Sequence, residues 1–353
     1  MNEECSETAG HTARLPGLVT AIAIALGAWI VVQAIGLLPG WPGRLPISTL
    51  LVAILVGLAL APMAAGKPQW TPGLDLARGP VLKFAVILIG LRLSLADLGQ
   101  LGMQALPLVI IAVIAGLFLT LILVRLAGAH WRLSALLAVG TAICGASAVA
   151  ATAPGLRARQ EETCYAIACV ALIGLAATII YPPLLSALLG DAHSIGLVMG
   201  VAIHDTAQVT AAAAIHEQIY AADGTLNAAT VAKLMRNATM LVVIPALIAV
   251  AARQSDTGST RVPFPLFIIG FMLACAVRTL GDAWLGADQA QWNMMIDLAG
   301  KASVIGFAMA MAALAMTIRF SELKLLGWKP AAAAVVSAGA VLGLALVWTI
   351  QTS

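Results

Sequence analysis

The sequence predicts an all-α polytopic membrane protein, and its composition, its low charge and the length of its apolar segments lead to this fold class. Of its 353 residues, 61% are hydrophobic and 10% are charged, whereas soluble domains average roughly 45–50% and 25%. So few polar side chains could not cover the surface of a soluble protein of this size, and the apolar content excludes intrinsic disorder. The net charge of +3 gives no indication of a nucleic-acid partner.

Eleven apolar segments are long enough, at roughly 20 residues each, to cross a bilayer as helices. Lipid offers no partners for backbone groups, so segments of this kind are helical. The loops are short and leave no room for a soluble catalytic domain. The segments cover residues 17–38, 47–65, 80–97, 104–126, 133–154, 163–189, 194–215, 229–251, 264–282, 294–317 and 330–350.

The N-terminal stretch does not look like a signal peptide. It carries Glu3, Glu4 and Glu7 instead of a basic start. We therefore expect residues 1–16 to form a cytoplasmic tail and residues 17–353 to form a single integral membrane domain.

The distribution of Lys and Arg predicts the orientation of the chain. With the N-terminus inside, nearly all basic loops lie in the cytoplasm and the C-terminus is external. The loop with Arg157 and Arg159 violates the rule if all eleven segments span. It returns to the cytoplasm if segments 133–154 and 194–215 each enter and leave on one side. We favour re-entrant or broken segments here, and the charge rule leaves open which of the two they are.

Two internal sequence similarities predict an inverted repeat. Residues 140–154 resemble residues 200–213, and residues 84–102 resemble residues 307–327. In the predicted topology the two copies of each pair have opposite orientations. This pattern is typical of transporters whose site lies at broken helices near the membrane midplane. The matching pairs are Ala142-Ile143 with Ala202-Ile203, Val149 with Val209, and Asp97-Leu98 with Glu322-Leu323.

The similarity between residues 140–154 and 200–213 places small and polar residues in two membrane segments. We take these residues as candidates for substrate binding. An interrupted helix presents free N–H groups that bind anions. Small residues also allow tight helix packing, which explains the first segment equally well. Packing explains the second segment less well, because an ionisable His–Asp pair and a glutamine share it. The candidates are Cys144, Gly145, Ser147, His204, Asp205, Thr206 and Gln208.

Charged residues inside apolar spans are functional candidates by default. Lys233 and Arg236 are three residues apart and share one helix face. Arg92 lies deep in its segment and joins them as a candidate for anion binding. The alternative for these cations is snorkelling to the headgroups or pairing with Asp97, Asp205 or Asp297. Asp297 and Lys301 are four residues apart, and we expect them to pair.

No motif for an enzyme, a metal or a cofactor is found. The chain has no nucleotide-binding glycine loop and no His-x-x-x-His or Cys-x-x-Cys spacing. Its five cysteines are odd in number and fit neither a disulfide framework nor a zinc site. We therefore expect neither enzymatic activity nor a cofactor.

Four stretches of the chain resemble the YeiH-type inner-membrane proteins, a family to which sulfate export is ascribed. The resemblance covers nearly the whole chain in the same order. It implies a secondary carrier of the bacterial inner membrane for sulfate or a related sulfur oxyanion. The stretches are Gly140-Thr-Ala-Ile-Cys-Gly-Ala-Ser-Ala-Val-Ala-Ala, Ile203-His-Asp-Thr-Ala-Gln-Val209, Lys233-Leu-Met-Arg236 and Ile89-Gly-Leu-Arg-Leu-Ser94.

These sequence features are consistent with three functions. A secondary transporter for a small anion is favoured by the repeats, the broken segments and the buried cations. An anion channel would share the polar lining without a coupling group. An intramembrane enzyme would need Cys144 or Ser147 within roughly 3 Å of His204.

The partners expected are a sulfate-like oxyanion and the lipid bilayer. Coupling to a proton or cation and assembly into a homo-oligomer are left open, and no nucleic acid is expected.

Overall fold

A computed structural model describes residues 2–36, 48–252, 267–286, 289–317 and 326–352, and all regular structure in these ranges is helical. Each of the eleven predicted segments contains helix, which confirms an all-α polytopic membrane protein. The helices are α1 (Asn2–Gly36), α2 (Thr49–Ala65), α3 (Thr71–Leu76), α4 (Leu82–Ile89), α5 (Leu95–Leu126), α6 (Trp131–Ala142), α7 (Ala146–Thr152), α8 (Gln160–Leu188), α9 (Ala192–Ala202), α10 (Thr206–Tyr220), α11 (Thr225–Ala238), α12 (Met240–Ala252), α13 (Phe267–Leu285), α14 (Ala290–Thr317) and α15 (Trp328–Thr352).

Some boundaries differ from the sequence-based expectation. Helix α1 begins at Asn2, so the predicted tail is helical and continuous with the first span. The predicted segment 80–97 is not one helix, because α4 ends in a 3₁₀ turn at Gly90–Arg92 and α5 begins at Leu95. The second internal similarity, between residues 84–102 and 307–327, includes Glu322-Leu323, which lies outside the described residues.

The chain divides into two compact units. The first contains residues 1–98, 214–222 and 266–318, and the second contains residues 99–213, 223–265 and 319–353. The core of the first unit is built from small side chains of α1, α2 and α14. At Gly57 on α2 an added Cβ would lie 2.6 Å from the carbonyl oxygen of Ala312 on α14. The absence of a side chain at Gly57 therefore permits the close packing of these two helices.

In the second unit, α6 and α7 form a re-entrant hairpin. The chain reverses at Gly145, whose positive φ of 65° favours glycine. Beyond the reversal α7 folds back, so that a Cβ at Gly140 would lie 2.9 Å from the side chain of Val149. The entrance to the hairpin at His130 and the exit at Arg159 line the same cavity. The segment therefore enters and leaves at one end of the unit.

In the second unit, α9 and the part of α10 up to Ala213 form the second re-entrant hairpin. The Asp191 carboxylate caps α9 by accepting a hydrogen bond of 2.8 Å from the Ser194 amide. Burial raises the pKa of Asp191, but the hydrogen bonds from Ser194 outweigh it and the net shift is downward. Helix α11 runs beside α9 in the same direction, with Gly196 against Thr225 and Gly200 against Ala229. The chain that leaves the break after Ala202 has therefore returned to the starting end of α9 by Thr225.

The two hairpins enter the unit from opposite ends. Helix α8 connects them and has 29 residues, which corresponds to a length of about 43 Å. The first hairpin leaves at one end of α8, near Arg159, and the second begins at the other end, at Asp191. The breaks cover residues 143–145 and 203–205, and each begins at the second residue of an aligned pair, Ala142-Ile143 or Ala202-Ile203. The similarity between residues 140–154 and 200–213 therefore corresponds to two hairpins, each broken at the same aligned position.

Candidate functional site

The two breaks and two cations of α11 together form a site that we call the crossover. It consists of Ile143–Gly145, Ile203–Asp205, Lys233 and Arg236. An α-helix that ends inside the protein leaves its last carbonyl groups without intrahelical partners. Helices α6 and α9 both end in this way, so their carboxyl ends bring unpaired, partly negative oxygens into an apolar region. Those oxygens are the acceptors for the two cations.

Lys233 connects the two hairpins through its ammonium group. The side chain is fully buried. Its Nζ donates to the carbonyl oxygens of Ile143 at 2.8 Å and Ile203 at 2.9 Å, and also to that of His204. An ammonium has three donors, so all three are engaged.

Arg236 makes the same connection one helical turn further along α11, and it too is fully buried. On the α6 side its Nε donates to Ala142 at 2.7 Å and one terminal nitrogen donates to Thr141. On the α9 side the other terminal nitrogen donates to Val201 and to Ile203. The planar guanidinium thus contacts both helix ends through three separate nitrogen atoms, whereas a lysine has a single donor nitrogen.

These contacts give the buried cations a structural basis. A buried charge is tolerated only when it is paired or hydrogen-bonded, and here the partners are the negative ends of two helix dipoles. The predicted sharing of one helix face is confirmed. The observed hydrogen bonds of the two cations go to main-chain carbonyls, which neither predicted alternative had identified. Direct contact with an anion would require Lys233 to give up a carbonyl, and it remains a prediction.

The second hairpin resumes as α10 with its own side-chain cap. The Asp205 carboxylate accepts a hydrogen bond of 2.9 Å from the Ala207 amide. Thr206 is buried, and its hydroxyl accepts a bond from the Asn237 amide of α11. Gln208 is fully buried and donates to the Ala171 carbonyl of α8 at 2.8 Å. Gln208 therefore fixes α10 to α8, and the lack of a side chain at Gly174 leaves room for it.

The candidates of the first hairpin have different environments. Cys144 is buried, and its thiol lies 3.9 Å from the sulfur of Met240. Gly145 packs against Asp205, since an added Cβ would lie 3.3 Å from the carboxylate. Ser147 is exposed. The structure thus brings the two predicted polar segments together at Gly145 and Asp205; Ser147 is exposed, Asp205 is half-buried and the two cations are fully buried.

His204 occupies the tip of the second hairpin. Its side chain is almost completely buried, and neither ring nitrogen has a hydrogen-bond partner among the described residues. A hydrogen bond between this imidazole and a backbone carbonyl is therefore not formed within the described ranges. The nucleophile–base contact with Cys144 or Ser147 that an intramembrane enzyme would need is also not formed in the described part of the chain.

Three further buried polar residues lie on α6 and α11, and two of them, Thr230 and Asn237, were not singled out from the sequence. The hydroxyls of Thr141 and Thr230 and the amide oxygen of Asn237 are buried and have no partner within the described ranges. Thr230 and Asn237 lie three residues before and four after Lys233, which places them on one helix face with it. That spacing was available in the sequence and could have identified them.

Arg92 lies in the first unit. Its guanidinium forms an ion pair of 3.2 Å with Glu217, which none of the predicted pairings included. The two residues are 125 positions apart, so no local pattern could have indicated the pair. The expected pair of Asp297 and Lys301 is confirmed at 2.6 Å, and both side chains are largely exposed.

Comparisons with known proteins identify the family. The family described as conserved hypothetical protein 698 matches residues 16–334. A UPF0324 membrane protein of Fusobacterium nucleatum is 29% identical over 330 residues, which cover 90% of this chain and 92% of the relative. UPF0324 membrane proteins of Bacillus anthracis and Streptococcus mutans are each 31% identical, and the matches cover 85% and 76% of this chain and 86% and 78% of the relatives. No solved structure matches.

The resemblance to the YeiH-type proteins is confirmed, because that family and the UPF0324 family are the same. The match spans both hairpins, α11 and the two cations. The chain belongs to the UPF0324 family of membrane proteins, described as conserved hypothetical protein 698.

Proposed function

We propose that this protein is a secondary transporter of a small anion across the bacterial inner membrane, with sulfate and related sulfur oxyanions as the first substrates to test. The observation that carries the proposal is the crossover, where two hairpins from opposite ends are held together by fully buried Lys233 and Arg236. Broken helices that meet inside an inverted repeat are the usual position of a carrier site.

The charges at the crossover favour an anion. Lys233 and Arg236 contribute two cations, against the single carboxylate of Asp205. In a region of low dielectric such an excess acts over a longer distance than it would in water. Because the donors of Lys233 are all engaged, we expect the cations to attract the anion through their field. Direct contacts would come from the accessible side, at Ser147 and the main chain beside Gly145.

The arrangement of the hairpins also suits alternating access. Each hairpin enters from a different end of the unit, so movement of one tip could open the crossover to one side while the other side stays closed. A carrier requires this separation, whereas a channel needs a continuous path. The carbonyl bonds of Arg236 join the two tips and would have to persist or rearrange together during the cycle.

Counterflow in proteoliposomes tests the proposal. Vesicles containing the purified protein are loaded with unlabelled sulfate, sulfite, thiosulfate or a small organic acid, and the labelled anion is added outside. A transporter accumulates label above its external concentration for as long as the internal pool lasts. We expect saturable counterflow for at least one sulfur oxyanion and little in protein-free vesicles.

Other outcomes separate the alternatives. Flux that does not saturate and shows no counterflow would contradict a transporter and support the anion channel. No flux for any of the anions, from protein that is folded by its melting behaviour, would contradict both. Lys301→Gln is the matched control, because this exposed cation lies outside the crossover, and we expect it to keep the flux of the wild type.

A further inference from the structure

The cavity between the entrance and the exit of the first hairpin lies in the second unit, away from the residues of the crossover, and has no role in the proposed transport. Its volume is about 300 Å³. It lies where α6, α8 and α15 begin and where α5 connects to α6. Its polar and aromatic lining consists of His130, Arg159, Glu161, Glu162, Trp328 and Lys329. We call it the rim cavity.

The rim cavity has a fixed frame. The Tyr165 hydroxyl of α8 donates to the Gly327 carbonyl at 2.6 Å and accepts from the Ala331 amide at 3.1 Å. The Glu162 carboxylate accepts a bond of 2.8 Å from the Arg159 amide. These bonds join the start of α15 to α8 and already engage two of the main-chain donors nearby. Recognition of a ligand must therefore come mainly from the side chains.

Three side chains at the rim can bind an oxyanion. Arg159, Lys329 and His130 are all exposed, and Arg in particular offers a paired set of donors to a phosphate-type group. Two carboxylates oppose them. Glu162 is engaged by the Arg159 amide, and Glu161 forms a 3.3 Å ion pair with Arg159 between exposed side chains. An exposed pair of this kind is weak, so Arg159 can exchange it for a stronger partner.

The surroundings of the cavity match a membrane surface. Trp328 is 73% exposed, and exposed tryptophan is typical of the headgroup region. Arg125, Arg132 and Arg157 add cations at the same end of the unit, which the distribution of Lys and Arg assigns to the cytoplasm. Basic pockets between membrane helices on that side bind the headgroups of anionic lipids.

We propose that the rim cavity binds a phosphate-type oxyanion, supplied by the headgroup of an anionic phospholipid, through Arg159, Lys329 and His130. Bound lipid would hold together the starts of α6, α8 and α15, and so would stabilise the end of the unit at which the first hairpin enters. This binding is independent of transport and would occur whether or not the crossover carries an anion.

Thermal unfolding of the full-length protein in mixed micelles tests the proposal. Phosphatidylglycerol or phosphatidylcholine is titrated into the micelle, and the rise in Tm is followed against lipid fraction. We expect a saturable rise with phosphatidylglycerol and a much smaller one with phosphatidylcholine. Arg159→Gln and Lys329→Gln should each raise the half-saturating lipid fraction about tenfold, the usual effect of losing one charged hydrogen bond. Glu161→Gln should lower it, because it frees Arg159.

The matched control is Lys67→Gln, which removes another lysine beside a tryptophan, since Lys67 lies 4.5 Å from the Trp70 ring centre outside the cavity. A second arm adds inorganic phosphate to lipid-free micelles. Phosphate that raises Tm and competes with phosphatidylglycerol would support the oxyanion site but assign it to a soluble ligand. Equal responses to the two lipids, or Arg159→Gln and Lys329→Gln titrations that match that of Lys67→Gln, would overturn the proposal.

Discussion

At the scale of single residues, the buried cations of the crossover lie where main-chain carbonyl oxygens have no partner within their own helix. Lys233 and Arg236 are fully buried, yet each of their bonds goes to a carbonyl oxygen at the end of a broken helix. The cations and the breaks therefore depend on each other. Without the cations the carboxyl ends of α6 and α9 would be unsatisfied in an apolar region, and without the breaks the charges would have no partners.

The first prediction concerns this mutual dependence. Arg236→Gln removes the charge that joins Thr141 and Ala142 to Val201 and Ile203, so it leaves several buried carbonyls without donors. We expect a loss of roughly 3–5 kcal/mol in the free energy of unfolding, the usual effect of removing one partner of a buried charged interaction. Thermal unfolding in detergent should show a clear decrease in Tm.

The control for this prediction is Lys301→Gln. It also removes one cation from a membrane helix, but its partner Asp297 is exposed, and an exposed pair contributes at most about 1 kcal/mol. Equal Tm values for the two variants would show that the carbonyl contacts of Arg236 do not stabilise the crossover.

At the scale of elements, the sequence indicated that two segments are broken but left their paths open. The alignment of Ala142-Ile143 with Ala202-Ile203 marks both breaks, because each helix ends at or next to the aligned pair. Whether α7 continues onward or folds back depends on contacts such as Gly140 with Val149, which are tertiary and not apparent in composition. The hydrogen-bond acceptors of Lys233 and Arg236 could not be predicted for the same reason, because every residue has a main-chain carbonyl oxygen and the sequence does not distinguish between them.

The second prediction tests the two hairpins in the cell membrane. Single cysteines are introduced by His130→Cys, Ala158→Cys or Ala192→Cys into a background in which the five native cysteines are replaced. A re-entrant first hairpin requires positions 130 and 158 to face one side and position 192 to face the other. By the charge rule the first two are cytoplasmic. An impermeant maleimide applied to intact cells should therefore label only Ala192→Cys.

Inverted vesicles provide the complementary measurement, in which positions 130 and 158 should react and position 192 should not. Labelling of Ala158→Cys but not of His130→Cys from outside would mean that α6 and α7 cross the bilayer, contrary to the contacts between them. Labelling of all three from one side would contradict the orientation of α8.

At the scale of the whole molecule, membrane character followed from composition alone, whereas the arrangement of the site did not. Apolar composition and length identified helix in each of the eleven segments, and the similarity between residues 140–154 and 200–213 located both breaks of the crossover. The pairing of Arg92 with Glu217 within the first unit could not be predicted, because the two residues are 125 positions apart and Glu217 lies just beyond the predicted segment 194–215.

The last prediction concerns coupling at His204. Uptake of an anion against an inside-negative potential costs about 2.3 kcal/mol per charge per 100 mV and needs a co-transported cation, whereas export does not. Imidazole is suited to carry a proton, and both ring nitrogens of His204 lack hydrogen-bond partners among the described residues.

With a proton gradient directed inward, wild-type vesicles should accumulate the anion faster than without it. His204→Gln should lose this acceleration and keep counterflow. Asp205→Asn should change the pH profile as well, because Asp205 is the carboxylate of the crossover and caps α10. A His204→Gln protein with the rate and pH profile of the wild type would exclude His204 as the proton carrier and leave it a structural residue.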